Sequence, residues 1–287
     1  MSVRMLTGDC RDLLGTLPER SVQCVVTSPP YFGLRDYQVA GQIGREPTPE
    51  EYVAEMVAVF HEVWRVLRDD GVLWLNLGDS YAKAGGQRTD IKPKDLIGIP
   101  WMVAFALRAD GWFLRAENIW AKRNGMPESV TDRPTRLHEH VFLLTKGGRY
   151  FYDAEAVKEE GVIAAGTRAA KGGNVRSALK DVNGRPPKYW DYTGTRNLRS
   201  VWWIATRPFA GHHFAVMPPE MAELCILAGS RLGDTILDPF SGAGTTALVA
   251  DRLGRSAIGI ELNPDHTAMG SDRVHADAPL LAEVTHA

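Results

Sequence analysis

Two short stretches combine residue types and spacings that do chemistry. The first is Ser28-Pro29-Pro30-Tyr31, at the end of the apolar run Val22 to Val26. Neither proline supplies a backbone N–H, and each pushes the residue before it towards an extended conformation. The loop is therefore stiff, presents its carbonyl oxygens and ends on an aromatic ring. The second is Gly242-x-Gly244-x-x-Ala247, opened by Asp238-Pro239-Phe240-Ser241, with Thr245 and Thr246 inside it and Glu261 lying 19 residues beyond the first glycine. Such a turn between strand and helix lets a ligand approach the backbone closely, and an acid about 20 residues on receives ribose hydroxyls. The spacing fits an adenosine-containing cofactor. A carboxylate at Asp238 would repel a dinucleotide pyrophosphate but accepts a hydrogen bond from an amino acid's ammonium group. That tilts the reading from a nicotinamide cofactor towards S-adenosyl-L-methionine. No Gly-Lys-Ser/Thr follows the glycines, which speaks against a nucleoside triphosphatase loop.

Strands and helices must hold these residues in place. Val22 to Val26 has the length and apolar character of a buried strand. Thr48, Pro49 and Glu51 form a capping-box start, and Val53, Met56, Val57, Phe60, Val63, Trp64 and Leu67 recur at helical spacing up to Asp70-Gly71. Val72 to Leu77 then predicts a strand, Lys83 to Lys94 a polar, flexible loop, and Ile99 to Leu107 a helix. Phe113 to Trp120 and His140 to Thr145 read as two strands joined by a long loop, a candidate antiparallel edge on a parallel sheet. After the basic stretch below, helix (Met217 to Gly229), strand (Thr235 to Asp238), helix (Ala243 to Leu253) and strand (Ser256 to Glu261) follow. The fold class expected is α/β, a doubly wound, mostly parallel sheet with an antiparallel edge strand.

Composition bounds the setting. The chain has 287 residues, 44% of them hydrophobic, enough for a full core, with a formal net charge of -2. No apolar run reaches membrane-spanning length and no leader pattern opens the chain, so a cytoplasmic protein is expected. Three scattered cysteines, Cys10, Cys24 and Cys225, argue against a disulfide framework and a thiolate zinc site. With no net positive charge, any polyanion must be met by a local basic face. Between Lys158 and Arg199 nine Lys/Arg stand against four Asp/Glu, interleaved with Tyr189, Trp190 and Tyr192.

Thr27-Ser28-Pro29-Pro30-Tyr31 followed far downstream by Asp238-Pro239-Phe240-Ser241-Gly242-Ala243-Gly244-Thr245-Thr246 resembles the amino-group DNA methyltransferases, and the catalytic motif preceding the cofactor motif resembles their beta group. The resemblance covers most of the chain apart from the basic segment. It implies a Rossmann-like S-adenosyl-L-methionine-dependent fold, a strand before Ser28 lying beside the strand before Asp238, and an inserted DNA-recognition region. It also explains the chemistry. An exocyclic amine is a poor nucleophile because its lone pair is delocalised into the base, so fixed acceptors that favour its pyramidal form stabilise the transition state selectively. Ser28 and the Pro29 carbonyl, braced by Pro30, are the implied acceptors, and Tyr31 the ring on which an extruded base stacks. No cysteine follows a proline here, so attack on a pyrimidine ring carbon lacks its nucleophile.

By the same resemblance, Asp9 and Cys10 near the N-terminus meet the adenine end of the cofactor, His213-Phe214 closes over its methionine end, and Thr27 and Leu262 flank the two motifs. Asn118-Ile119-Trp120-Ala121-Lys122, with Asn124, resembles the segment lining the target-base pocket, and Asp79 either sits beside that pocket or caps a turn. Residues 1–151 and 207–287 are then the two halves of one methyltransferase domain and 152–206 a target-recognition segment. Lys122, Arg185, Lys188, Arg196 and Arg199 are candidate contacts to double-stranded DNA. Serine at the first catalytic position resembles the form associated with cytosine N4, with adenine N6 the alternative. Glutamine-amide methylation and a DNA-binding module with an idle pocket are further rivals. A homodimer and a restriction nuclease on a separate chain are the other partners considered, and no metal is expected.

Overall fold

A computed structural model describes residues 2–83, 91–160, 195–207 and 216–277, and the backbone of 283–286. It divides into two units, Met1–Asp153 with Ser200–Ala287, and Ala154–Arg199. In chain order the elements are β1 (Ser2–Thr7), α1 (Cys10–Thr16), β2 (Val22–Thr27), α2 (Pro49–Val66), β3 (Leu67–Leu77), α3 (Ile99–Ala109), β4 (Phe113–Lys122) and β5 (His138–Thr145). They continue with β6 (Glu159–Glu160), β7 (Thr195–Arg196), β8 (Val201–Ile204), α4 (Pro219–Gly229), β9 (Thr235–Asp238), α5 (Thr245–Arg252), β10 (Ser256–Glu261), α6 (Pro264–Asp277) and β11 (Glu283–His286). Among the described residues no helix is long and apolar enough to cross a membrane.

In the larger unit the strands form one sheet in the order β11-β1-β10-β9-β2-β3-β5-β4-β8. Alternation along the strands divides the core. Val25, Leu73, Leu75 and Leu77 pack with α1, α2 and α3, while Cys24, Val72 and Trp74 approach Gly229 of α4, which lies with α5 and α6. Apolar side chains on both faces of central strands are what helices on both faces of a parallel sheet require. β2 pairs with β9 in parallel, Cys24 opposite Ile236 and Val25 opposite Leu237. From that pair the chain runs outward both ways, β2 to β3 and β9 to β10. The loops leaving β2 and β9 therefore diverge, and a crevice opens at their carboxyl ends.

Three details differ from the sequence reading. Helix α2 starts with the full capping box, Thr48 accepting from the Glu51 N–H and Glu51 from the Thr48 N–H, but it ends at Val66, ahead of Asp70-Gly71. Leu67 is already extended and paired with Val22, so sheet registry ends the helix, and Gly71 falls at a ladder irregularity. The antiparallel strand is β5, and it lies inside the sheet between β3 and β4. The edge beyond β4 is β8, parallel to it, with Trp202 buried. Val201–Ile204 thus belongs to the sheet, although its position in the chain had placed it within the recognition segment 152–206.

In the smaller unit, β6 and β7 pair antiparallel, with Glu159 opposite Arg196. Glu159 accepts from Arg196 Nε at 3.0 Å and from Arg199 Nε at 2.8 Å. Two of the arginines read as DNA contacts therefore share one carboxylate. Arg185 and Lys188, with the aromatics Tyr189, Trp190 and Tyr192, lie outside the described residues, as does most of the Lys83 to Lys94 stretch.

Candidate active site

The crevice is a cavity of about 540 Å³ lined from both diverging loops, from the N-terminal turn and from the strands β3, β4 and β5. One hydrogen bond joins the roots of the two loops. Thr27, fully buried at the end of β2, donates to Asp238 Oδ1 at the end of β9 at 2.6 Å. Thr246 in the first turn of α5 donates to Asp238 Oδ2 at 2.8 Å, and the Phe240 N–H to Oδ1 at 3.1 Å. Burial raises the Asp238 carboxyl to about 6, and these three donors only partly offset it. Burial without a positive partner disfavours the ionised form, and a cationic ligand would restore it.

Glu261 closes β10 beside this loop. It accepts from the Gly242 N–H at 2.8 Å and the Asn263 N–H at 2.9 Å, with His266 Nδ1 at 3.7 Å. Burial pushes its carboxyl up, but His266 and the two N–H donors outweigh burial and hold it below the usual range. Ser241 Oγ, also in the lining, is buried without a hydrogen-bond partner. Two carboxylates and an orphaned hydroxyl suit a ligand with an ammonium group and hydroxyls, as S-adenosyl-L-methionine has, and they oppose a pyrophosphate.

Most of the residues read as cofactor contacts share this end of the cavity: Pro239, Phe240, Ser241, Gly242, Thr245, Thr246, Leu262, Asp9 and Cys10 all line it. Two do not. Thr27 is sealed from the cavity and acts by holding Asp238. Gly244, at φ 72°, is where α5 meets α6, and a Cβ there would lie 2.9 Å from Gly270 Cα, so its part is packing. Asp9 caps α1, and its carboxylate is gripped by Arg11 at 2.9 and 3.1 Å through Nε and at 2.5 Å through Nη2. Cys10 is buried, and burial with the neighbouring Asp9 charge raises its thiol to about 12. Such a thiol is no nucleophile at neutral pH. Phe214, with His213, lies outside the described residues.

The other end carries Ser28, Pro29, Pro30 and Tyr31. Tyr52 of α2 donates to the Pro30 carbonyl at 2.9 Å and fixes the loop from below. The Tyr31 ring lies so close to Gly78 that a Cβ there would sit 2.5 Å from Cε2. Ser28 Oγ donates to Tyr31 Oη at 3.2 Å, and Tyr31 Oη donates to Glu139 Oε2 at 2.5 Å. Asn76 Nδ2 donates to Tyr31 Oη and Glu139 Oε2, both at 2.9 Å, and to Ser28 Oγ at 3.3 Å. Lys122 Nζ pairs with Glu139 Oε1 at 2.5 Å and stands 4.8 Å from the centre of the Trp120 ring. Lys122, read from sequence as a DNA contact, is thus a cavity residue with a carboxylate partner.

Trp120 both lines the cavity and is nearly buried, donating through Nε1 to the Ile204 carbonyl at 3.0 Å. Asn124 binds both the N–H and the carbonyl of Thr206, continuing the β4 to β8 pairing by one side chain. Asp79 caps the turn into α3, accepting from the Gly98 and Ile99 N–H groups, and is not in the lining. Sequence reasoning missed Asn76, Glu139 and the wall formed by the loop between Leu34 and Ile43. Asn76 did leave a signal, a lone amide inside the apolar run Val72 to Leu77. Glu139 left none, because a glutamate at the open end of a strand is ordinary surface chemistry.

A family model described as DNA methylase matches residues 22–270. The Type II methyltransferase M.SmaI of Serratia marcescens is 44% identical over 95% of this chain and 91% of its own length. M.XycI of Xanthomonas campestris pv. cyanopsidis, also a Type II methyltransferase, is 45% identical over 94% of this chain and 87% of its own. A solved structure of a candidate DNA modification methylase from Thermus thermophilus, in complex with S-adenosyl-L-methionine, shares 28% identity and a TM-score of 0.66, covering 99% of both chains.

Proposed function

The chain belongs to the DNA methylase family, and from that premise we propose that it methylates the exocyclic N4 of a cytosine swung out of duplex DNA. It is an S-adenosyl-L-methionine-dependent DNA methyltransferase. The observation that carries the finer reading is the end of the cavity built by Ser28, Pro29 and Tyr31, where every group bonded to the Ser28 hydroxyl is neutral. A neutral acceptor supports the small positive charge that grows on an amino nitrogen without demanding a full ion pair. Cys10, buried and protonated, supports transfer to nitrogen over covalent attack on a ring carbon.

S-adenosyl-L-methionine supplies the methyl group. Asp238 would take its ammonium, Glu261 its ribose hydroxyls, and the Gly242 turn its close approach, while Asp9 and Cys10 border the adenine end. Ser28 and the Pro29 carbonyl would direct the amino lone pair, and Tyr31 would support the base plane. We further propose that the basic segment from Lys158 to Arg199 reads the target sequence, working in the cytoplasm beside a restriction nuclease on a separate chain. Adenine N6 is the second reading, since Ser28 serves either amino group.

The experiment is to incubate the protein with labelled S-adenosyl-L-methionine and unmethylated DNA, digest to nucleosides and identify the product by mass spectrometry. N4-methylcytosine is expected. N6-methyladenine would keep the mechanism and overturn the base assignment. Label on neither, with cofactor binding verified, would favour the idle binding module.

A further inference from the structure

Ser28 accepts a hydrogen bond from a target amino group only while its own hydrogen points elsewhere. Resting on the amino-methyltransferase reading above, we infer that Glu139 is a positioning residue whose carboxylate sets the direction of the hydrogen-bond chain that ends at Ser28. A carboxylate accepts and never donates. Placed 2.5 Å from Tyr31 Oη, it draws the phenolic hydrogen onto itself. The Tyr31 oxygen is then left to accept, which takes the Ser28 hydrogen at 3.2 Å. A Ser28 lone pair is thereby left for the substrate.

Asn76 follows the same logic. Its Nδ2 faces the network while its Oδ1 is buried without a partner, the orientation that an anionic centre imposes. Burial, and then the Glu139 charge, push the Tyr31 phenol well above its ordinary value, so Tyr31 stays a donor at neutral pH. The groups facing Glu139 come from four places. They are Tyr31 from the loop after β2, the neutral Asn76 from β3, Lys122 from β4, and on β5 the neighbouring His138, whose imidazole is held low by burial and feels the Glu139 charge.

Glu139→Gln is the discriminating variant because it keeps size and hydrogen-bonding capacity. The Lys122 ammonium turns the new amide's oxygen towards itself and its NH2 towards Tyr31. The chain then reverses and the Ser28 hydrogen points at the substrate. Single-turnover methyl transfer to DNA is expected to fall on the order of 10²-fold. S-adenosyl-L-methionine and DNA affinities stay within about twofold, since the interaction matters in the transition state alone. The double variant Glu139→Gln with Lys122→Met frees the amide to turn and recovers about tenfold of the loss, a readout no structural role predicts.

Tyr31→Phe keeps the ring but cuts the chain without placing a new donor, so in that background Glu139→Gln is expected to cost less than about twofold further in single-turnover transfer. Thermal unfolding checks each variant, and if Glu139→Gln does not fold, Tyr31→Phe decides, with single-turnover transfer expected to fall about tenfold at unchanged S-adenosyl-L-methionine affinity. Wild-type rates in Glu139→Gln or in Tyr31→Phe, a Glu139→Gln/Lys122→Met variant no better than Glu139→Gln alone, or a full further loss on adding Glu139→Gln to Tyr31→Phe would overturn the inference. A wild type that methylates DNA beside an unaffected Glu139→Gln removes this inference alone. A wild type that methylates no amino group removes the reading beneath it as well.

Discussion

Asp238 offers the sharpest quantitative test, because one buried carboxyl links stability, pH and cofactor affinity. Its ordinary value of 3.8 is raised to about 6 in the folded protein, chiefly by burial. At about 1.4 kcal/mol per tenfold, that rise corresponds to roughly 3 kcal/mol of destabilisation once the group is ionised. The folded state binds more protons than the unfolded state between the two values. Stability therefore falls as pH rises through that window and levels off above it, the reverse of a salt-bridged aspartate. A cationic ligand that needs the ionised form binds a group about nine-tenths ionised at pH 7 and about one-tenth at pH 5, so its affinity falls about tenfold between them.

Asp238→Asn removes the buried charge. The variant without cofactor is expected to be more stable than wild type by up to about 3 kcal/mol at pH 8, less whatever the Thr27, Thr246 and Phe240 donors lose. Its affinity for S-adenosyl-L-methionine falls by the value of a charge-assisted hydrogen bond, about 1.5 to 3 kcal/mol. Calorimetric titration across pH 5 to 8 and chemical denaturation measure both, and the difference between wild type and variant isolates Asp238 from the nearby pair of Glu261 and His266. An affinity in the wild type that is flat with pH, or a variant no more stable than its parent, would refute the reasoning.

Two further outcomes test other parts of the structure. Gly78→Ala places a Cβ 2.5 Å from the Tyr31 ring, so the ring must shift and single-turnover transfer is expected to fall at least about tenfold while S-adenosyl-L-methionine affinity holds, as stopped-flow transfer and calorimetry would show. Thr48→Ala removes half of the capping box of α2, the helix whose Tyr52 braces Pro30, and should lower unfolding free energy by about 1 kcal/mol in a denaturant titration.

Much of the frame is written locally in the chain. Thr235–Asp238 and Ser256–Glu261 are strands at the limits their apolar runs mark, and α2 begins at the capping box its residues spell out. Such signals are legible because strands, caps and glycine turns depend on residues within a few positions of one another. The placement of Ser28 beside Asp238 was legible in another way, through resemblance, since no periodicity says which strand lies next to which.

What the tertiary structure alone decided lies in contacts between distant residues. Glu139 meets Tyr31 across 108 positions and Asn76 across 63, and no local pattern ranks that pairing above any other partner for a strand-end glutamate. Arg196 and Arg199 looked like cations awaiting phosphate until β6 and β7 brought Glu159 to both. Lys122 likewise became the partner of Glu139 when β4 and β5 paired, Trp120 opposite Glu139. A strand's alternation tells which side chains share a face, but only the registry with its neighbours tells what they face, and here that registry brings Glu139 to the hydrogen-bond chain that ends at Ser28.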